Sequence, residues 1–149
     1  MSDKNRAVFT TDVNKIEWKE SGSEEWIVPA GIADFILTFE SEDDAIRYLN
    51  SKFTSHYITG HDYTIGVNGS RVDGDPGQEM IVSKLFATGT DAQMDVRVTI
   101  GKKKQITSTN AVKVTDIGTG ETGKVGRFAC EFLNSGDDPE IAEVTEATE

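Results

Sequence analysis

The sequence predicts a mainly β domain, a sandwich or barrel of about seven or eight short strands with one flanking α-helix. Apolar and polar residues alternate in several short runs, and glycine- or asparagine-containing turns separate these runs. Only one segment has both helix start and stop signals around an apolar stripe. We expect an N-terminal arm at residues 1–13, one β domain at residues 14–134 and an acidic C-terminal tail at residues 135–149.

The strands are predicted from alternation along the β domain. In the third run, Phe35, Leu37 and Phe39 share one face because successive side chains of a strand point to opposite sides. After the fourth run, Asn68 and Gly69 are typical of a hairpin turn. The predicted strands span residues 14–18, 25–28, 31–39, 63–67, 94–100, 105–108, 111–117 and 125–133.

One helix is predicted at residues 76–87. Asp75 is a good N-cap, Pro76 suits the first helical position and Gln78 completes a capping box. An apolar stripe follows, and Gly89 is a natural C-cap. These local signals predict a helix of about three turns on one side of the strands.

Residues 40–60 have mixed signals. Residues 41–44 are typical of a helix start, whereas residues 52–59 are rich in β-branched and aromatic side chains, which favour strands. We interpret the segment as a long hairpin connection with one helical turn. Connections of this length are usually functional or mobile.

The net charge is −11, from 26 acidic and 15 basic residues. This argues against tight binding of nucleic acid, which requires Lys and Arg to neutralise phosphates. The run Lys102, Lys103 and Lys104 is a basic island, and a solvated turn explains it. The alternative is an inter-subunit contact in which this turn meets acidic residues of another copy, such as its tail or its residues 40–44.

Several classes of protein are disfavoured. No stretch approaches the roughly 20 apolar residues of a membrane helix, and the polar residues 1–6 do not form a secretion signal, so we expect neither membrane insertion nor signal-directed export. Cys130 is the sole cysteine and is expected to be a buried structural thiol. His56 and His61 are expected to be exposed loop residues, so we predict no metal site. No spacing of residues indicates a catalytic arrangement, and we predict no cofactor and no catalytic residues.

The run GTGETGKV at residues 118–125 matches the glycine-loop pattern of protein kinases. It also nearly matches a phosphate-binding P-loop, but Val125 stands where Ser or Thr would bind magnesium. A P-loop must open a helix, whereas a strand-like run follows here. We therefore interpret the segment as a hairpin turn and predict that the protein is not an enzyme.

Residues 63–81 resemble a stretch of the tail tube proteins of long-tailed bacteriophages and phage-derived tail-like particles. In that family a strand ends in a small turn, and a segment like GDPAQD then caps a helix. The matching run is GDPGQE at residues 74–79. Gly77 replaces the more usual Ala, which weakens the helix slightly. The order of later strands and turns extends the resemblance over about residues 30–137.

The resemblance implies a tail-tube-like fold whose copies form homohexameric rings, stacked into a hollow tube that conducts DNA during ejection. It implies that residues 40–61 form an inter-ring stacking loop, with Tyr48, Phe53, His56 and Tyr57 as candidate contacts. The implied location is the virion tail, after synthesis in the host cytoplasm. The implied partners are other copies, tape-measure and tail-terminator or baseplate proteins, and DNA that passes without specific binding.

Three alternatives remain open at this point. The chain could form the inner tube of a contractile injection device or bacteriocin, which has the same architecture. It could be a small β-sandwich that binds carbohydrate or protein, in which case a monomer with an open aromatic face is expected. It could be an enzyme that uses residues 118–124, in which case it would bind nucleotide.

Overall fold

The computed structural model describes residues 14–101, 103–135 and 138–143. These residues form one antiparallel sheet of seven strands with one α-helix, so the mainly β prediction is confirmed. The sheet is curled but does not close into a barrel. The elements in chain order are β1 (Lys15–Glu20), β2 (Ile32–Ile46), β3 (Ser55–Ser70), α1 (Pro76–Val82), a 3-10 helix (Gly89–Ala92), β4 (Gln93–Ile100), β5 (Lys104–Ile117), β6 (Arg127–Asn134) and β7 (Glu140–Glu143).

The strands are arranged in the order β1-β4-β5-β6-β3-β2, and β7 pairs with β5 beside this path. The long strand β5 links two parts of the sheet. Its residues 104–107 pair with β7 and its residues 110–117 pair with β6, while residues 104–111 pair with β4 on the other side. A bulge between Val114 and Asp116 bends and twists the strand further.

A single apolar core lies inside the curled sheet. The rings of Trp18 and Phe132 are 5.3 Å apart although β1 and β6 are not adjacent, which shows how strongly the sheet curls. The Trp18 Nε1 donates to the carbonyl of Gly77 at 2.9 Å and thereby fixes α1 against the core. Other buried members are Ile16, Ile65, Val67, Ile81, Met94, Val96, Val98, Phe128 and Cys130.

The side chain of Gln78 joins α1 to the sheet. Asp75 is the N-cap residue, and its carboxylate accepts from the Gln78 backbone N–H at 3.0 Å. The predicted return bond from Gln78 to Asp75 is absent from the described contacts, because the buried Gln78 amide binds the main chain around it. It donates to the carbonyls of Ala30 (2.8 Å) and Ser70 (2.9 Å), and it accepts from the Val72 N–H at 2.8 Å.

The helix is shorter than predicted. It begins at Pro76 as expected but ends at Val82, before the predicted end at residue 87. The chain then forms turns with backbone hydrogen bonds between residues three apart in the sequence. The Lys84 ammonium forms an ion pair with Glu20 at 2.8 Å. Gly89 was wrongly predicted as the C-cap, since it begins the 3-10 helix instead.

The predicted turn at Asn68 and Gly69 is wrong, because β3 continues to Ser70. Asn68 donates to the Asp34 carboxylate on β2 at 3.3 Å. At Gly69 the main chain of Gly31 approaches so closely that a Cβ would lie 2.1 Å from its carbonyl oxygen. The glycine therefore permits close packing of two backbones and does not form a turn.

Three other predicted strands differ from the strands in the structure. Residues 105–108 and 111–117 belong to one continuous strand, β5. Residues 25–28 form no strand and contribute only the bridge between Ile27 and Trp18. Within the predicted acidic tail, Glu140–Glu143 forms β7, whereas residues 1–13 and 144–149 lie outside the described part of the chain.

We predict that Gln78→Ala lowers the free energy of unfolding by about 2–3 kcal/mol, because it removes several buried hydrogen bonds and leaves a void. Chemical denaturation followed by tryptophan fluorescence measures this value. Gln105→Ala is the matched control, since Gln105 makes one long bond, to Thr99 at 3.3 Å, and a loss of about 0.5 kcal/mol or less is expected. Equal losses in the two variants would contradict the role of Gln78.

Candidate assembly surfaces

The β2–β3 hairpin extends far beyond the sheet. On β3, only residues from Thr64 to Ser70 pair with β6, whereas pairing between β2 and β3 continues to Ile46 and Ser55. We name residues 40–62 the arm, which is distinct from the N-terminal arm expected at residues 1–13. Its paired strands extend for about 20 Å at the usual rise per residue, supported only by each other among the described elements. The predicted hairpin is present, but the predicted loop with a helical turn is wrong, because most of residues 40–60 is strand.

The end of the arm, residues 47–54, is here named the tip. Its apolar side chains are exposed, with Leu49 at 91% and Phe53 at 82% of their accessible surface. The hydroxyls of Tyr48 and Tyr57 lie 3.2 Å apart across the hairpin. Large exposed apolar groups on a projecting element are typical of an interaction surface.

The two histidines lie on exposed arm strand and not in a loop. The Nδ1 of His56 is 2.9 Å from the Asp43 carboxylate, and the Nδ1 of His61 is 3.1 Å from the Ser41 hydroxyl. These contacts link the two strands of the arm. In the described part of the chain, no cluster of three or more His, Cys, Asp or Glu side chains is positioned to hold a metal ion.

Tyr48, Phe53, His56 and Tyr57, the predicted stacking residues, thus all lie on the arm. Their contact with another ring remains a prediction. What the sequence analysis missed is the length of the arm, which comes from the register of β2 on β3.

The outer edge of β2 is a second exposed surface. Within the described residues, β2 lies at one end of the sheet and pairs only with β3. Ile36 is 60% and Phe39 is 61% exposed on this strand. A long edge strand with exposed apolar side chains is a template for pairing with another chain. This edge is therefore suited to joining one copy to the next.

At the other end of the sheet, β1 carries a cluster of charges outside the core. The buried Glu17 carboxylate accepts from the Arg97 Nε at 2.8 Å. The Arg97 guanidinium lies 4.3 Å from the centre of the Trp26 ring, and the Lys19 ammonium lies 5.0 Å from it. Burial raises the pKa of Glu17, but Arg97 and Lys15 outweigh burial and hold it below its ordinary value.

The face of β5, β6 and β3 opposite the core has mostly small or polar side chains. The register places Lys113, Glu131 and Gly66 in one row across three strands. The adjacent rows contain Ala111, Leu133 and Thr64, and Ala129 and Asn68. This face therefore combines opposite charges with little apolar area, and it presents no basic cluster among the described residues.

The loop at residues 118–124 is held by the carboxylate of Asp116. That carboxylate accepts from the backbone N–H of Gly118 (3.2 Å) and of Thr119 (2.9 Å), and from the Thr119 hydroxyl (2.7 Å). The bonds from Thr119 and Gly118 hold the pKa of Asp116 well below its usual range. The first two amides of the loop are thus occupied by Asp116, and the loop leads into strand β6 and not into a helix.

The basic turn at Lys102, Lys103 and Lys104 is only partly described, since Lys102 lies outside the described residues. Lys103 is exposed in the turn. The Lys104 ammonium is 2.7 Å from the Glu143 carboxylate of β7 in the same chain. One lysine of the island thus meets the acidic C-terminal segment of its own chain, and an inter-subunit role for the turn remains a prediction.

Cys130 has no chemical role suggested by its surroundings. It is buried in the core on β6. Burial, and to a lesser extent the charge of Glu131, raise the pKa of its thiol to about 12. Because the thiolate is the reactive form, this side chain behaves as a small apolar group.

The fold matches solved structures of assembled tail particles. A chain from the tail of an empty gene transfer agent particle, refined with C6 helical symmetry, superimposes with a TM-score of 0.71 at 14% identity, covering 93% of this chain and 100% of that one. A chain from the virion of a native gene transfer agent gives 0.67 at 12% identity, with coverage of 93% and 100%.

A third match is a chain from the six-fold symmetrised baseplate of the anti-feeding prophage, with a TM-score of 0.54 at 11% identity, covering 91% of this chain and 94% of that one. No family model and no curated protein matches the sequence. At these identities the likeness shows the fold, and it confirms the tail-tube-like fold that the sequence resemblance implied.

We predict that Glu17→Gln destabilises the protein most at neutral pH. Because the folded pKa of Glu17 is depressed, its stabilising effect is fully present above its ordinary pKa of 4.5 and is lost as pH falls through the lower folded value. The difference in unfolding free energy between wild type and Glu17→Gln should therefore shrink in acid. The exposed Glu24→Gln is the control, and a difference that stays constant with pH would contradict the assignment.

We predict that Lys124→Ala changes neither the melting temperature nor any nucleotide response in a thermal-shift assay. Lys124 is exposed in the loop, and the amides of Gly118 and Thr119 at the start of the loop are bonded to Asp116. Asp116→Ala should lower the melting temperature, because it frees these amides. Stabilisation of the wild type by ATP that is lost in Lys124→Ala would restore the phosphate-loop hypothesis.

Proposed function

We propose that this chain is a non-enzymatic structural subunit of a phage-like tail, in which copies form hexameric rings that stack into a hollow tube. The observation that carries the proposal is the likeness to the chain from the C6-symmetric gene transfer agent tail, over 93% of this chain. A match over nearly the whole length of both chains leaves little of either outside the shared fold. The protein would be located in the virion tail after synthesis in the host cytoplasm.

Ring formation would use the free edge of β2. A strand of the neighbouring copy that continues the sheet would bury its exposed apolar side chains and would form hydrogen bonds with its unpaired main-chain groups. Contacts between unlike surfaces of identical copies close into rings when the rotation between copies permits it. The six-fold symmetry is taken from the related particles.

Stacking of the rings would use the arm. The arm projects about 20 Å and has exposed apolar groups but no core of its own. A contact with the next ring buries these groups and fixes the rotation of one ring on another. Tape-measure and tail-terminator or baseplate proteins would occupy the lumen and the ends of the tube.

Passage of DNA requires a lumen that does not bind it. We assign the lumen to the face of β3, β5 and β6 opposite the core, since its side chains are small or polar. The exposed cations Lys113 and Arg127 on this face each lie beside a carboxylate: Lys113 is opposite Glu131, and the Arg127 Nε is 3.2 Å from Asp116. With a chain net charge of −11, such a surface offers phosphates few cations to bind.

A second candidate is a tube or baseplate subunit of a contractile injection device. The match to a baseplate chain of the anti-feeding prophage, with a TM-score of 0.54, favours it. The higher score of the gene transfer agent tail, 0.71, favours the first candidate. The presence or absence of a contractile sheath around purified particles separates the two.

We predict that replacing residues 47–54 with Asn-Gly leaves a folded protein that forms rings but no tubes. Ile46 and Ser55 are paired, so a two-residue hairpin turn can join them without strain. Negative-stain electron microscopy detects rings and tubes, and circular dichroism detects the fold. Normal tubes from this variant would show that the arm does not stack the rings.

A further inference from the structure

A wide groove lies at the base of the arm. Its volume is about 590 Å³. Its floor is apolar, formed by Phe39 and Tyr63, whose rings stack at 5.3 Å, and by Ile106 and Ile141. Ile141 on β7 is 70% exposed. The groove is therefore an end of the core that the described part of the chain leaves open to solvent.

The position of α1 explains why the groove is open. Along β3, the helix and the Gln78 hydrogen bonds lie at the end near Ser70, whereas Tyr63 lies beyond them, next to Thr64, where the pairing with β6 ends. The Tyr63 hydroxyl is buried beside the Ser108 side chain. Burial raises the pKa of this hydroxyl to about 12, so it stays neutral.

The rim of the groove is acidic. Glu40, Asp62 and Asp138 line it, and none of its described lining residues is Lys or Arg. An occupant that combines apolar side chains with positive charge would fit both the floor and the rim.

The arm tip has this chemistry. Leu49 and Phe53 are its most exposed apolar residues, and Arg47 and Lys52 stand beside them. The tip, residues 47–54, contains no acidic residue, although the arm strands next to it contain several. A basic and apolar tip thus lies at one end of the arm and an acidic and apolar groove at the other.

The tip cannot reach the groove of its own chain. The two strands remain paired from Glu40 and Asp62 to Ile46 and Ser55, which separates the two surfaces by about 20 Å. The groove of a second copy is the site that the tip can reach. A tip-to-groove contact joins two different surfaces of identical copies. Every copy can therefore insert its tip into one neighbour and accept the tip of another, which repeats the contact along a stack.

We propose that the arm tip of one copy docks into the arm-base groove of a copy in the next ring, with Leu49 and Phe53 on the apolar floor and Arg47 and Lys52 on the acidic rim. This inference rests on the proposed function and adds the receiving site.

A charge exchange tests the docking. The tip variant is Arg47→Glu with Lys52→Glu, and the rim variant is Glu40→Lys with Asp138→Lys. All four positions are exposed, so both variants should fold, which circular dichroism checks. Each variant alone should form roughly tenfold less tube, or still less, in electron microscopy and pelleting, because like charges then meet. An equal mixture should recover tubes, since tip and rim are again complementary between rings of the two variants.

The matched control is Lys124→Glu, a charge reversal on an exposed loop away from the arm, which should form normal tubes. If the wild type forms tubes and the tip variant does so as well, or if the mixture stays unassembled, the docking is overturned and the proposed function stands. If the wild type forms no tubes, both fall together.

A covalent probe gives an independent readout. In Leu49→Cys with Ile141→Cys, oxidation of assembled tubes should give a ladder of disulfide-linked chains, while the buried Cys130 stays unreacted. Leu49→Cys with Lys124→Cys is the control pair and should give no ladder. Tubes that form without a ladder in the first pair would also overturn the docking.

Discussion

The β2–β3 hairpin is longer than the sheet that supports it, and the proposed assembly depends on this mismatch. The support from β6 ends at Thr64 on β3, while the pairing with β2 continues to Ser55. A two-stranded ribbon without a core is at best marginally stable in water. Among the described residues, nothing covers the apolar side chains of the arm or the outer edge of β2, so these surfaces are available to another molecule.

The energetic scale of these contacts suits a polymer. Full burial of Leu49 or Phe53 contributes about 2 kcal/mol, and part of that gain offsets the ordering of the tip. One arm is therefore a weak contact. In the proposed tube, several arms acting together across a ring boundary would bind much more strongly, because the first contact holds the others in place. The acidic rim and the basic tip add selectivity, since like-charge pairings are rejected.

The parts of the fold that sequence reasoning predicted are those determined by neighbouring residues in the sequence. The alternation of β4 is clear because each inward residue from Met94 to Val98 is buried and each outward residue is not. The start of α1 is clear because capping is local chemistry at Asp75 and Pro76. The arm strands were missed because both of their faces are exposed, so no alternation marks them.

Other errors arise from long-range packing. β7 is short and wholly exposed, so its sequence lacks an apolar pattern, and only its pairing with β5 defines it. Gly69 was taken for a turn residue because its role, close contact with the backbone of Gly31, involves a distant segment. The groove at the arm base was also invisible in sequence, since Phe39, Ile106 and Ile141 come from three separate strands.

Electron microscopy of the purified wild-type protein, followed by helical reconstruction, tests the central claim most directly. The account predicts hollow tubes of stacked six-fold rings, with density for the arm crossing from each ring to the next. A protein that remains monomeric at every concentration and salt condition would contradict the account and would favour a small β-sandwich binding module.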